Sequence, residues 1–193
     1  MKIDPENIVE KYGAVVRVSD LLDSGLSFRQ IRRLVESGHL IKIDKGIYRV
    51  PDKEYDERVA LALRIPTGVF CLYSASFIHQ LSDFVPPEQH MAVPKKSRYV
   101  LPDFAPVKLY FWEETPYKIG VMEHPLEGGT IRVYDPEKTV CDFFRLSSKT
   151  GELAVEVLKS YLDRPDRNIN KLFNYAKKLR VQNSLIPYLQ VLS

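Results

Sequence analysis

Between Ser27 and Val50 the apolar residues change period once, and that change constrains the fold more than any other feature of the chain. Phe28, Ile31, Leu34 and Val35 recur at helical spacing and define one face of a helix, with Arg29, Gln30, Arg33 and Ser37 on the opposite face. Ser27 followed three residues later by Gln30 is a capping box, in which each side chain serves the other residue's backbone N–H. Gly38 supplies the C-terminal stop. Directly afterwards Leu40–Ile43 and Ile47–Val50 alternate apolar and polar residues, the pattern of two half-buried strands, and Asp44-Lys45-Gly46 joins them as a tight loop.

Upstream, Asp4-Pro5 predicts a helix start, Ile8, Val9 and Tyr12 continue it, and Gly13 ends it. Val15, Val16 and Val18 predict a short extended piece, and Ser19 the cap of a very short helix to Asp23 that Ser24-Gly25 stops. Three helices and a hairpin are the plan of an N-terminal winged helix-turn-helix, assigned here to residues 1–52. A helix fits the major groove of a DNA duplex, and a hairpin wing can reach phosphates or the adjacent minor groove. Six basic residues (Arg29, Arg32, Arg33, Lys42, Lys45, Arg49) against Glu36 and Asp44 make this stretch locally cationic, although the whole chain carries only +3. Arg29, Gln30 and Arg33 are the expected readers of base edges, since arginine can pair guanine and glutamine adenine in bidentate fashion. Ser27, Arg32, Lys42, Lys45 and Arg49 are the expected phosphate contacts. Winged helices also serve as protein-interaction modules, and a cationic helix face can simply be solvated.

Residues 53–193 predict a mixed α+β domain with a helical C-terminal part. Val59–Leu63 reads as a helix, Val69–Leu72 as a buried strand, and Ser74 as the cap of a short helix carrying Phe77, Ile78 and Leu81. Strands are expected at Gln89–Val93, Val107–Trp112, Tyr117–Met122 and Thr130–Val133, with Glu127-Gly128-Gly129 as a turn. Helices are expected from Asp135-Pro136 to Phe144, over Glu152–Leu162, over Asn168–Leu179 and around Leu185–Leu192, where Pro187 starts or interrupts the last. Lys95, Lys96 and Arg98 form a basic loop, a second candidate contact for an anionic partner.

With 45% hydrophobic residues and a modest net charge, disorder is excluded as the main state. No stretch is long and apolar enough to cross a bilayer, and Met1–Glu6 shows no apolar core of a secretory signal. Cys71 and Cys141 are too few for a disulfide framework or a zinc site, which fits a reducing cytoplasm. His39, His79, His90 and His124 are scattered without metal spacing, and no phosphate-binding loop or nucleophile elbow occurs. Asp135, Glu137, Lys138 and Asp142 could in principle hold a divalent cation in a nuclease-like site. Their order fits helix initiation better, with Asp135 as N-cap, Pro136 at N1 and Glu137 at the positive dipole end. No catalytic residue, cofactor or metal is expected.

Several stretches resemble the AbiEi antitoxin family: Gly46-Ile47-Tyr48-Arg49, Tyr73-Ser74-Ala75 to His79-Gln80-Leu81, Val93-Pro94, and above all Val133 to Asp142 (VYDPEKTVCD). The helical tail, with Leu158–Leu162 and Tyr175–Leu179, is similar too. The resemblance implies a regulator of a type IV toxin–antitoxin, phage-defence-associated system. Its winged helix would bind inverted repeats of double-stranded DNA in its own promoter and repress the operon, and its second domain would carry antitoxin activity. The functional partner it implies is a nucleotidyltransferase toxin, opposed without a stable complex. The alternatives are a nuclease-like or other enzyme domain delivered to DNA by the winged helix, and a protein-interaction module.

Overall fold

A computed structural model of the chain describes residues 10–146 and 153–192. The chain divides into two compact units. The first comprises residues 1–67, 99–106 and 123–131, and the second residues 68–98, 107–122 and 132–193. Both helices and strands occur in the fold, the strands in two sheets, so the α+β class holds.

In the first unit residues 10–12 are helical, and the expected helix start at Asp4-Pro5 lies outside the described residues. Strand β1 (Val15–Arg17) runs straight into helix α1 (Val18–Asp23). Helix α1 thus begins ahead of Ser19: the Arg17 backbone N–H donates to the Asp20 carboxylate at 3.2 Å, so Arg17 and not Ser19 is the N-cap residue. Helix α2 (Phe28–Glu36) follows, then the hairpin β2 (Ile41–Asp44) and β3 (Ile47–Arg49). The three strands form an antiparallel sheet in the order β1-β3-β2, with a register shift between Lys42 and Asp44. Val16, Leu21, Leu26, Ile31, Leu40 and Val50 make the core beneath α2.

The unit does not end at residue 52. Helix α3 (Glu57–Arg64) packs on β1 and β3, and Thr67 shares a 2.7 Å hydroxyl hydrogen bond with Tyr99. Residues 123–131 join it through Gly128, whose carbonyl accepts from Ala14 N–H at 3.3 Å, while Asp56 N–H donates to the Glu127 carbonyl at 2.9 Å. Gly128 has φ +85°, and a Cβ there would lie 2.6 Å from Tyr55 Cβ, so only glycine fits this approach. These contacts are long-range in sequence, and a boundary drawn at the Pro51-Asp52 turn misses them.

In the second unit strand β4 (Val69–Phe70) leads into helix α4 (Leu72–Ile78). The helix starts two residues before Ser74, with Cys71 as N-cap residue. Ser74 is buried instead, its hydroxyl donating to Gln89 Oε1 at 3.0 Å and accepting from His90 N–H at 2.8 Å. Strands β5 (Gln89–Pro94) and β6 (Val107–Trp112) come next. The strand expected over Tyr117–Met122 is divided: residues up to Lys118 form helix α5 (Glu114–Lys118), and strand β7 (Val121–Leu126) begins only after Gly120. Pro116 sits in the first turn of α5, where its missing N–H costs nothing, and Tyr117 N–H bonds the Glu113 carbonyl at 3.0 Å. Strand β8 (Gly129–Tyr134) completes a five-stranded sheet in the order β6-β5-β4-β8-β7, with β5–β6 and β4–β8 parallel and β4–β5 antiparallel; residues 123–126 of β7 and 129–131 of β8 are the part of these strands counted in the first unit. Among the described residues four helices follow: α6 (Pro136–Arg145), α7 (Leu153–Leu162), α8 (Ile169–Leu179) and α9 (Gln182–Leu192), the last continuous through Pro187. Glu152, the expected start of α7, lies outside the described residues. Cys71 and Cys141 are buried core thiols, and burial pushes the Cys141 thiol up to about 12. Among the described residues no helix is long and apolar enough to cross a membrane.

His90 on β5 couples this unit to pH. Its Nδ1 lies 2.9 Å from the Tyr110 hydroxyl, and burial pushes its pKa down to about 4, partly opposed by Glu88 and reinforced by Lys108. A free imidazole titrates near 6.5, so between roughly pH 6.5 and pH 4 the unfolded chain holds a proton that the folded chain does not. The stabilisation is therefore complete above pH 6.5 and is lost as pH falls toward 4. Urea midpoints should report a loss of about 1–2 kcal/mol over this interval, less than the full linkage value because solvent reaches part of the surroundings of the imidazole, and His90→Gln should flatten that slope.

Candidate nucleic-acid interface

Helix α2 is fixed at both ends before any partner is considered. Ser27 N–H donates to Gln30 Oε1 at 2.8 Å, and Ser27 Oγ accepts from Gln30 N–H at 3.4 Å, closing the capping box that the sequence predicts. At the other end Ser37 is the C-cap residue and Gly38 takes φ +77°. Ile31 is buried and Leu34 and Val35 are half-buried, so the inner face is held by the core. The hairpin is tied back in turn, because Val18 N–H donates to the Gly46 carbonyl at 2.8 Å.

At about 100° per residue the outward arc of α2 runs Phe28, Arg32, Glu36, Arg29, Arg33. All five side chains are exposed. Arg32 donates from Nε to Glu36 Oε1 at 2.8 Å, a surface pair one helical turn apart. Arg29 and Arg33 have no side-chain partner among the described residues. They form a cationic edge with no carboxylate committed to it.

The remaining sequence candidates separate by role. Ser27 is exposed, yet its hydroxyl donates to Gln30 Oε1 at 2.8 Å. The same Gln30 oxygen takes the Ser27 backbone N–H, so Gln30 serves the helix cap. Bidentate adenine reading needs that same oxygen, so the cap and a base edge compete for Gln30. Lys42 and Lys45 are exposed on the hairpin and Arg49 is half-buried. Asp44, the acidic residue that ends β2, is engaged by Arg64 Nε at 2.9 Å and accepts from Lys45 N–H at 2.7 Å. Phe28 departs from the position that its spacing predicts. The spacing places it on the core face, but it is 69% exposed, because the first position of α2 lies ahead of the core and beyond its reach.

In the second unit Lys95 pairs with Glu113, while Lys96 and Arg98 are exposed with no partner among the described residues. The run from Asp135 to Asp142 is an internal charge network. Asp135 accepts the Lys138 backbone N–H at 2.8 Å as the N-cap of α6. Lys171 Nζ lies 3.1 Å from Asp135 and 3.0 Å from Glu137, Tyr175 donates to Asp135 at 3.1 Å, and Tyr161 donates to Glu137 at 3.1 Å. Lys138 pairs with Asp142, both fully buried, and its ammonium stacks over Trp112 and Tyr134. Three carboxylates thus meet three cations, the third being Arg145 at 3.1 Å from Asp142. Burial pushes the Asp135 carboxyl up against the opposing pull of Lys138 N–H and Lys171, and it pushes the Tyr175 phenol up to about 12. Every carboxylate here is occupied by a partner of the chain itself, and among the described residues no group of three His, Cys, Asp or Glu side chains is placed to hold a metal. His79 is likewise a bonded core residue, with Nε2 2.6 Å from the Tyr134 carbonyl.

The exposed cationic helix and its hairpin fall within one recognisable sequence segment. Residues 5–51 match the AbiEi antitoxin family of transcriptional regulators. The AbiEi-type segment contains β1, α1, α2 and the β2–β3 hairpin, and it ends at Pro51. The Asp135–Asp142 run lies outside the matched segment, although the resemblance read from the sequence extended to it. A crystal structure described as that of the RV2827C protein from Mycobacterium tuberculosis superimposes with a TM-score of 0.54 at 18% identity. The alignment covers 95% of this chain and 75% of that one, and at this identity it speaks for the fold alone. No curated protein matches the chain.

Proposed function

We propose that the chain is a cytoplasmic DNA-binding autorepressor and antitoxin of a type IV, phage-defence toxin–antitoxin system. In this reading the AbiEi-type segment is a winged helix-turn-helix that binds inverted repeats in its own promoter. The second unit opposes a nucleotidyltransferase toxin without a stable complex, and the chain acts by binding and not by catalysis. The observation that carries the reading is the outward edge of α2, where Arg29 and Arg33 stand exposed and, among the described residues, without a side-chain partner, on a helix whose cap and core are already satisfied. Lys42 and Lys45 on the hairpin supply further positive charge for phosphates.

Binding to the DNA upstream of its own coding sequence tests it. Arg29→Ala with Arg33→Ala should weaken binding on the order of a hundredfold and relax sequence preference. Lys45→Ala should weaken all sequences alike and lower the slope of log affinity against log salt by about one. Unchanged affinity in the double arginine variant, with the fold intact by circular dichroism, refutes the assignment of α2.

A further inference from the structure

We propose that Phe28 is a specificity-determining contact, its ring taking the C5-methyl of a thymine in the major groove. The inference rests on the DNA-binding reading above and deepens it. Phe28 shares helical spacing with Ile31, Leu34 and Val35, but those three pack into the core while Phe28 stands in solvent, 69% exposed. The core of the first unit closes without it. Capping does not account for it either, since the cap is made by Ser27 and Gln30, and the first helical position favours proline or an acidic residue over an aromatic one.

Its surroundings select the partner. On the outward arc Phe28 lies next to Arg32 and on the same surface as the unpaired Arg29 and Arg33, a setting suited to an anionic partner and poor for an apolar protein face. A recognition helix contacts base edges with its N-terminal residues, and Phe28 is the first residue of α2. Among base pairs only A·T offers an apolar group in the major groove, the thymine methyl, and a phenyl ring has no hydrogen bond with which to read anything else. Gln30, the other first-turn side chain able to read adenine–thymine pairs, is held by the cap.

The test uses the full chain and the duplex it enriches from a random pool, with each thymine replaced in turn by deoxyuridine so that only a methyl is removed. The wild-type chain should lose about fourfold in affinity at one position of the site, the effect of one buried methyl. Phe28→Ala should bind the thymine duplex about tenfold more weakly, become insensitive to deoxyuridine at that position, and keep its thermal midpoint, because the ring is not part of the core. Phe28→Leu should retain part of the sensitivity. The proposal is overturned if the wild-type chain has no deoxyuridine-sensitive position, or if Phe28→Ala is as sensitive as the wild type. It is equally overturned if Phe28→Ala changes only the oligomeric state and leaves the deoxyuridine response intact, which assigns the ring to a protein interface. If no duplex is enriched at all, the DNA-binding reading itself fails and this inference with it.

Discussion

Lys138→Met should lower the stability of the chain by about 3–5 kcal/mol, enough to move the thermal midpoint down by roughly 6–20 °C. Lys138 and Asp142 sit one turn apart on α6, and neither side chain reaches water. The ammonium is held by the Asp142 carboxylate and by the faces of Trp112 and Tyr134, with Nζ 4.3 Å and 4.2 Å from the ring centroids. Burial pushes the lysine pKa down and Asp142 pulls it back up, so the pair exists because each charge answers the other. Methionine fills much the same volume but leaves Asp142 with Arg145 alone, whose Nε lies 3.2 Å away. The stability lost is the penalty of a half-compensated buried carboxylate and exceeds the net worth of the pair. Adding Asp142→Asn should therefore restore most of it, since the amide oxygen still accepts from Arg145, which keeps some access to water, and no buried carboxylate is left half-compensated. Urea unfolding of the two single variants and the double variant checks this. A double variant no more stable than Lys138→Met rules out the charge-pair account.

The contrast between this network and α2 explains which parts of the molecule were legible in the sequence. Local rules were sufficient where the chain answers its own backbone. The Ser27–Gln30 capping box and the Asp135-Pro136 helix start are written in neighbouring residues and appear where expected, and the expected Asp44-Lys45-Gly46 turn is one residue shorter, because Asp44 ends β2 and pairs with Ile47. They failed where a distant residue takes the group that a local rule wants. Ser74 has the chemistry of a cap, but Gln89 and His90 claim its hydroxyl. Tyr117–Met122 has strand composition, but Glu113 and Pro116 open a helix ahead of it. Phe28 obeys the helical period, yet the core does not extend beneath the first residue of α2. Lys171 bridges Asp135 and Glu137, more than thirty residues away in sequence, a pairing that no local pattern announces. The arginines of α2 were legible as candidates because an exposed helix face depends on few residues other than its own.

Gly120→Ala should cost about 2–4 kcal/mol, combining a left-handed backbone with an overpacked contact. Gly120 has φ +73°, a conformation that a Cβ disfavours. Its carbonyl accepts the Asp135 N–H at 2.7 Å, which brings the turn before β7 against the first turn of α6. An added Cβ would stand 2.6 Å from Lys138 Cβ and within 3.1 Å of both Asp135 carboxylate oxygens. Lys138 Cβ belongs to a helix and cannot retreat by swinging a flexible side chain, so either the turn or α6 must move. Movement of α6 would disturb the cap at Asp135 together with the bridge from Lys171. The variant should thus lose cooperativity between the N-terminal turn of α6 and the rest of the second unit: amide exchange at Lys138 and Thr139 should accelerate more than exchange along β5. Uniform acceleration across the unit would mean that the glycine is needed for its backbone angle alone, and Gly120→Asn, which tolerates the left-handed region but keeps the crowding, separates the two causes, because it should be as damaging as alanine only if the contact with Lys138 dominates.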